Sequence, residues 1–196
     1  DRLACVLSDI QNMGYEVVLV SSGAIAVGRN KLNMTAKPDS MRMKQAAAAV
    51  GQCSLMYLYD KFFGDYDKTV AQILLNAEDI EQEEKKENLI NTFNALLEMG
   101  VIPIVNENDS VSYKEIESED RLFGDNDMLS AVVAVLCRAR HLVILSDIDG
   151  FYDHDPRLYP NAKLIEQIDT IDDSVYALAG GAGSRRGTGG MRTKLQ

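Results

Sequence analysis

Four short apolar runs, separated by stretches of helical periodicity, limit what this chain can fold into. They are Val17–Val20, Val70–Leu75, Val101–Val105 and Leu142–Leu145. Val17–Val20 is apolar at every position, so it reads as a strand covered on both faces; a solvated face would place polar residues at alternate positions. Ahead of it, Leu3, Val6, Leu7 and Ile10 are spaced as on a helix that Gly14 ends. A long helix is predicted from Ser40 to Phe63, through Met43, Ala47, Val50, Leu55, Tyr59 and Phe62, with Ala46–Ala49 and Gly51 small enough for close packing. Met34, Met41 and Met43 are read as core filler. Asn76-Ala77-Glu78-Asp79 looks like a helix start with its acids near the positive end of the dipole. Gln82–Asn88 then forms a charged face, Leu89, Phe93, Leu96 and Leu97 a buried stripe, and Gly100 a stop. Met128, Val132, Val135 and Leu136 mark one more helix. Strands alternating with helices require right-handed crossovers, and hence a mainly parallel sheet with helices on both faces. No internal repeat or low-complexity linker divides the chain, so one domain is expected.

At 196 residues and 46% hydrophobic, the chain has material for a substantial core. Its formal charge of -10 argues against nucleic acid or an anionic membrane as partner. A small anion stays compatible, because local dipoles and a few cations outweigh a distant net charge. No apolar run approaches the roughly 18 residues of a membrane span, and no signal-peptide pattern opens the sequence, so a cytoplasmic location is expected. Cys5, Cys53 and Cys137 are odd in number and lie in apolar helical contexts, which predicts buried free thiols. His141 and His154 lack the carboxylate–histidine spacing of a zinc site, and no metal ligand set is predicted.

In open α/β sheets ligands bind beyond the carboxyl ends of the strands. Three of the four runs end in unusual polar loops: Ser21-Ser22-Gly23, Asn106–Asp109 and Ser146–Gly150. A parallel sheet puts those ends on one edge. A second acid-amide cluster, Gly124-Asp125-Asn126-Asp127, opens the helix that follows. Taken singly, each has a bland reading: Ser22-Gly23 as a turn, Asp109 as a cap, Asp125 or Asp127 as an acidic first turn. Gly180–Lys194 is the most glycine-rich segment and runs into a predicted helix start, the form of a phosphate cradle, although a surface loop has similar composition. Acids and amides on one side with a cationic glycine loop on the other suit phosphoryl transfer, which needs positioning and cations more than a nucleophilic side chain. There is no Walker-type loop, no GxGxxG after the first run, and no nucleophile-elbow flank around Ser22.

VSSGAIAVG (20–28), VGQ (50–52), PIVNENDSV (103–111), FGDNDMLSA (123–131), LSDIDGFYDHDPR (145–157) and GTGGMRTK (187–194), in this order, closely resemble the glutamate 5-kinases of the amino acid kinase superfamily. The resemblance covers nearly the whole chain. It implies a three-layer αβα sandwich of the amino acid kinase (carbamate kinase-like) fold. It also implies ATP-dependent phosphorylation of the γ-carboxylate of L-glutamate to L-glutamyl 5-phosphate, the first step of proline biosynthesis, with Mg2+ bridging the ATP phosphates. Carried over by position, Ser22, Gly23, Asp109 and Asn126 would bind glutamate, Asp109 through the ammonium group. Asp127 would orient the catalytic lysines, and Lys194 would be one of two that stabilise the transferring phosphoryl group. Ser146, Asp147, Thr188, Gly189, Gly190, Met191, Arg192, Thr193 and Lys194 would bind the nucleotide. Proline as feedback inhibitor and a homo-oligomer are further implications. The family's first strand, which carries the other lysine, precedes the first residue here, and its last strands and PUA domain follow the last. A fragment of the kinase domain is therefore expected; the alternatives are a non-catalytic amino-acid-binding module of the same fold, or the kinase half of a bifunctional pyrroline-5-carboxylate synthase.

Overall fold

The structure is a computed structural model that describes residues 1–111, 126–179 and 191–195. The chain opens on helix α1 (Arg2–Asn12), and Gly14, at φ +91°, turns it towards strand β1 (Leu19–Val20). Helices α2 (Ala24–Lys31) and α3 (Met41–Gly64) follow, then strand β2 (Val70–Leu75). The predicted start at Asn76 heads α4 (Ala77–Glu81), where Asp79 Oδ2 accepts the Asn76 amide at 2.9 Å, one half of a capping box. Gln82 leaves helical geometry at φ -87°, ψ 114°, so α4 ends there and the charged stretch Gln82–Asn88 opens a separate helix, α5 (Glu83–Glu98). Strand β3 (Ile102–Glu107), α6 (Asn126–Leu136), α7 (Asp173–Leu178) and α8 (Met191–Lys194) complete the described elements.

The strands form a parallel sheet in the order β1-β3-β2, with Leu19 opposite Ile104, Val20 opposite Val105, and β2 in register from Val70–Ile102 to Leu75–Glu107. Alternation along each strand divides the core. Ile102, Ile104, Val17 and Leu19 face α1 and α3, where they pack with Ala4, Phe63 and Tyr59. Val105, Ile73, Leu75, Val18 and Val20 face the other way, onto Phe93 of α5 and Leu129 and Val133 of α6. Helices therefore cover both faces, the three-layer αβα arrangement. The two-sided burial explains why these runs lack the polar alternation of a half-exposed strand.

Helices α2 and α3 cross backbone to backbone. A Cβ on Gly28 would stand 1.7 Å from the Ala47 carbonyl oxygen, and one on Gly51 would stand 1.8 Å from that of Ala24. This fixes α2, and the turn that precedes it, against the longest helix of the domain.

Three expectations need correction. Leu142–Leu145 joins no ladder among the described residues, and Val143 and Leu145 are 76% and 72% exposed. A strand exists only through a neighbour's amides and carbonyls; here the run and β1 border a common cleft instead of pairing. All three cysteines are free, but Cys53 is exposed and Cys5 and Cys137 are half-buried, because Cys53 lies on the solvent stripe of α3 with Ala46, Ala49 and Tyr57. Met43 is likewise exposed and is not core filler. No helix among the described residues is long and apolar enough to cross a membrane.

Candidate functional site

The register places the exits of β1 and β3 side by side, so Ser21-Ser22-Gly23 and Asn106–Asp109 emerge on the same sheet edge. Ser21 continues the ladder, its amide donating to the Val105 carbonyl at 2.7 Å. Its buried hydroxyl lies 2.7 Å from the Tyr59 hydroxyl of α3. Ser22, the next residue, is exposed and lines the cleft. Gly23 caps α2 at φ +91°, a conformation that glycine adopts without the Cβ penalty of other residues. At the exit of β3, Asn106 is buried and its amide donates to Gln52 Oε1 at 2.8 Å, tying this strand end to α3 as well. Asn108 continues into a turn, with the Ser110 hydroxyl donating to Asn108 Oδ1 at 2.8 Å and the Val111 amide to the Asn108 carbonyl.

Beside this edge lies a cleft of about 1960 Å³. Ser22, Asn126, Asp127, Ser146, Asp147, Met191 and Lys194 all line it. Residues 104 positions or more apart in some cases, chosen for separate reasons, thus face one space. Gly23 and Asp109 are outside this lining; Asp109 lies in the turn after β3, which leads into residues beyond those described. Thr188, Gly189 and Gly190, with most of the glycine-rich segment, are outside the described residues, as are Gly124 and Asp125. Arg192 and Thr193 lie on the backbone of α8.

A close ion pair in the cleft joins a cationic and an acidic candidate, Lys194 and Asp127. Lys194 Nζ sits 2.5 Å from Asp127 Oδ2, and the side chains are 22% and 18% exposed. The pair links the first turn of α6 to α8 across 67 positions of sequence. With so little water around it, the ion pair is screened less than a surface pair and holds the ammonium group at a defined place. The Tyr176 hydroxyl of α7 donates to the Leu195 carbonyl at 3.2 Å and anchors the far end of α8.

The cleft is also lined by Arg157, whose guanidinium grips Asp155 through Nε at 3.0 Å and Nη2 at 2.9 Å. These bonds hold the Asp155 carboxyl below its ordinary range, and together with the nearby Asp147 charge they raise the guanidinium. Arg157 borders the cleft with Ser146 and Asp147, and so adds a fixed cation to the segment expected to meet a nucleotide. Sequence reasoning did not single out Gln52, Tyr59 or Arg157. Gln52 and Arg157 were within motifs already noted, while Tyr59 was read only as part of the long helix's apolar stripe, since the partner of its hydroxyl is 38 positions away.

A model of the amino acid kinase family matches residues 1–196. A protein named glutamate 5-kinase from Clostridium perfringens is 57% identical over 195 residues, which cover all of this chain and 72% of that relative. Proteins of the same name from Listeria monocytogenes (serovar 1/2a) and Enterococcus faecalis are 51% and 50% identical, with 70% and 72% of their lengths covered. The chain belongs to the amino acid kinase family and, within it, to the glutamate 5-kinases.

Proposed function

We propose that this cleft is where ATP phosphorylates the γ-carboxylate of L-glutamate, giving L-glutamyl 5-phosphate for proline biosynthesis. The observation that carries the reading is the Lys194–Asp127 pair, set within a cleft that Ser22, Asn126, Ser146 and Asp147 also line. A carboxylate oxygen of glutamate attacks the γ-phosphorus, the bond from that phosphorus to the β,γ-bridging oxygen breaks, and ADP leaves with the negative charge. Catalysis of this kind rests on positioning and on cations aimed at the phosphoryl oxygens. Lys194 is the described cation held for that purpose, and Asp127 keeps its ammonium group in place without itself exchanging a proton.

Ser22 and Asn126 give hydroxyl and amide contacts to the amino acid, with Gly23 allowing its close approach, and Asp109 takes the ammonium group as a carboxylate–ammonium pair. Ser146, Asp147, Met191 and the segment Thr188–Lys194, including Gly189, Gly190, Arg192 and Thr193, receive the nucleotide. Mg2+ supplies neutralisation of the ATP phosphates when bound. Asp127 and Asp147 are hard oxygen donors of the type this ion accepts, directly or through its waters. Residues 1–196 form part of one amino acid kinase domain, incomplete at both ends, which works in the cytoplasm as a homo-oligomer inhibited by proline; these features rest on the family resemblance.

The test is ATP-dependent hydroxamate formation by the purified protein, since hydroxylamine traps an acyl phosphate. Glutamate should support it, and aspartate and N-acetylglutamate should not. Equal rates with all three would overturn the substrate assignment.

A further inference from the structure

We infer that Tyr59 is a positioning residue for the amino-acid half of the site, acting through Ser21 on the Ser22-Gly23 turn. The inference rests on the reading above that this turn meets glutamate. Ser21 is the last residue whose amide joins the β1–β3 ladder. Its side chain points into the core, 6% exposed, and the following Ser22 points out into the cleft. The outward direction of Ser22 therefore depends on the inward direction of Ser21. A hydroxyl at such a buried place needs a partner, and Tyr59 supplies one at 2.7 Å from a ring packed within the Ile102–Ile104 cluster. Two helical turns earlier, Gln52 of the same helix holds the end of the neighbouring strand through Asn106. One face of α3 thus carries a polar clamp for each of the two adjacent strand exits.

Without the tyrosine hydroxyl, the buried serine would be left with a donor and acceptor to satisfy. Serine hydroxyls in that position turn to nearby backbone groups, a competition that bends local structure. Here the nearest backbone is the turn that presents Ser22 and begins α2. Removing both hydroxyls takes away the competition, because an apolar pair of similar shape leaves nothing unsatisfied. A merely structural role for Tyr59 predicts no such recovery.

The experiment compares Tyr59→Phe, Ser21→Ala, the double variant and Ser22→Ala, with glutamate and ATP affinities measured by calorimetric titration on the folded proteins. Tyr59→Phe is expected to weaken glutamate binding about three- to tenfold, to leave ATP binding within about twofold, and to be largely rescued by Ser21→Ala. Unchanged glutamate affinity in Tyr59→Phe, equal losses for both ligands, or a double variant worse than either single one would each overturn the inference. Ser22→Ala separates the two levels of the argument. If it leaves glutamate affinity intact, the reading of the turn as substrate-binding fails, and the inference with it. If it weakens glutamate while Tyr59→Phe does not, only the inference fails.

Discussion

Replacing Gly51 with alanine tests whether α2 and α3 meet backbone to backbone. The added methyl would lie 1.8 Å from the Ala24 carbonyl oxygen and 2.6 Å from the Gly28 amide nitrogen, whereas ordinary contact begins at 3.4 Å. Both obstacles are backbone, so no side chain can swing aside, and α2 must retreat by roughly 1.6 Å as a unit. Overpacking of this kind costs about 1–3 kcal/mol. The upper end applies here, because separating the helices also uncovers Ala24, Ala47 and Ala48, which are 0–2% exposed. With a urea slope of about 2–3 kcal/mol/M for a domain of this size, a loss of about 3 kcal/mol lowers the unfolding midpoint by about 1–1.5 M. Gly64, at the end of α3, is the control: a Cβ there meets nothing within 4 Å, and alanine should be neutral or stabilising by up to about 1 kcal/mol. Urea unfolding followed by circular dichroism reads both. If Gly51→Ala and Gly64→Ala gave the same midpoint, the close crossing would be refuted.

Lys194→Ala should lower turnover by about 10²- to 10³-fold with glutamate affinity nearly unchanged, as expected of a group that acts on the transition state; steady-state kinetics beside titration separate the two, and near-normal turnover would exclude the role. Asp109→Asn should weaken glutamate binding well beyond any effect on ATP, and equal glutamate affinity in variant and parent would end that assignment. Burial, with a smaller push from Glu16, raises the Cys137 thiol from 9.0 to about 11. The folded protein then keeps a proton that the unfolded chain has released, so this group's stabilisation is complete below pH 9 and is lost as the pH rises through about 11. Midpoints measured across that window should fall more steeply for the parent than for Cys137→Ala, and parallel curves would show that the thiol is not responsible.

The sheet was legible where burial and pairing coincide. Val70–Leu75 was placed to the residue, and the expected Val101–Val105 starts one residue later, at Ile102, and extends by Asn106 and Glu107 because Leu74 and Leu75 of β2 continue the ladder. The run Leu142–Leu145 carries the same apolar signal, yet composition records only the preference for burial and is silent about which backbone lies alongside. Cys53 was misplaced for a related reason: α3 buries Ala47, Ala48 and Gly51 on one side and leaves its Cys53 and Tyr57 stripe in solvent, although the local composition hardly differs. Gly51 was readable as a site of close packing, whereas its counterpart Gly28 was not, since helix crossings are made by distant residues. The candidate site shows the same division. The family resemblance already linked Asp127 to the catalytic lysines, of which Lys194 is one, and the fold adds their contact across 67 positions; the contacts of Asn106 with Gln52 and of Ser21 with Tyr59 belong to the folded chain alone.

The central strand has a consequence for where this domain can yield. Among the described strands, β3 is the one paired on both edges, and Ile102–Asn106 is buried throughout. Opening it requires both helical layers to come away, so its local unfolding costs nearly as much as unfolding the whole domain. Among the described residues, strand β1 has two residues and a neighbour on one side only. The two exits that share the sheet edge therefore hang from supports of unequal permanence. Of the two, the Ser22 exit hangs from the strand with fewer pairings among the described residues, so under the proposed function a bound amino acid would restrain the less supported exit.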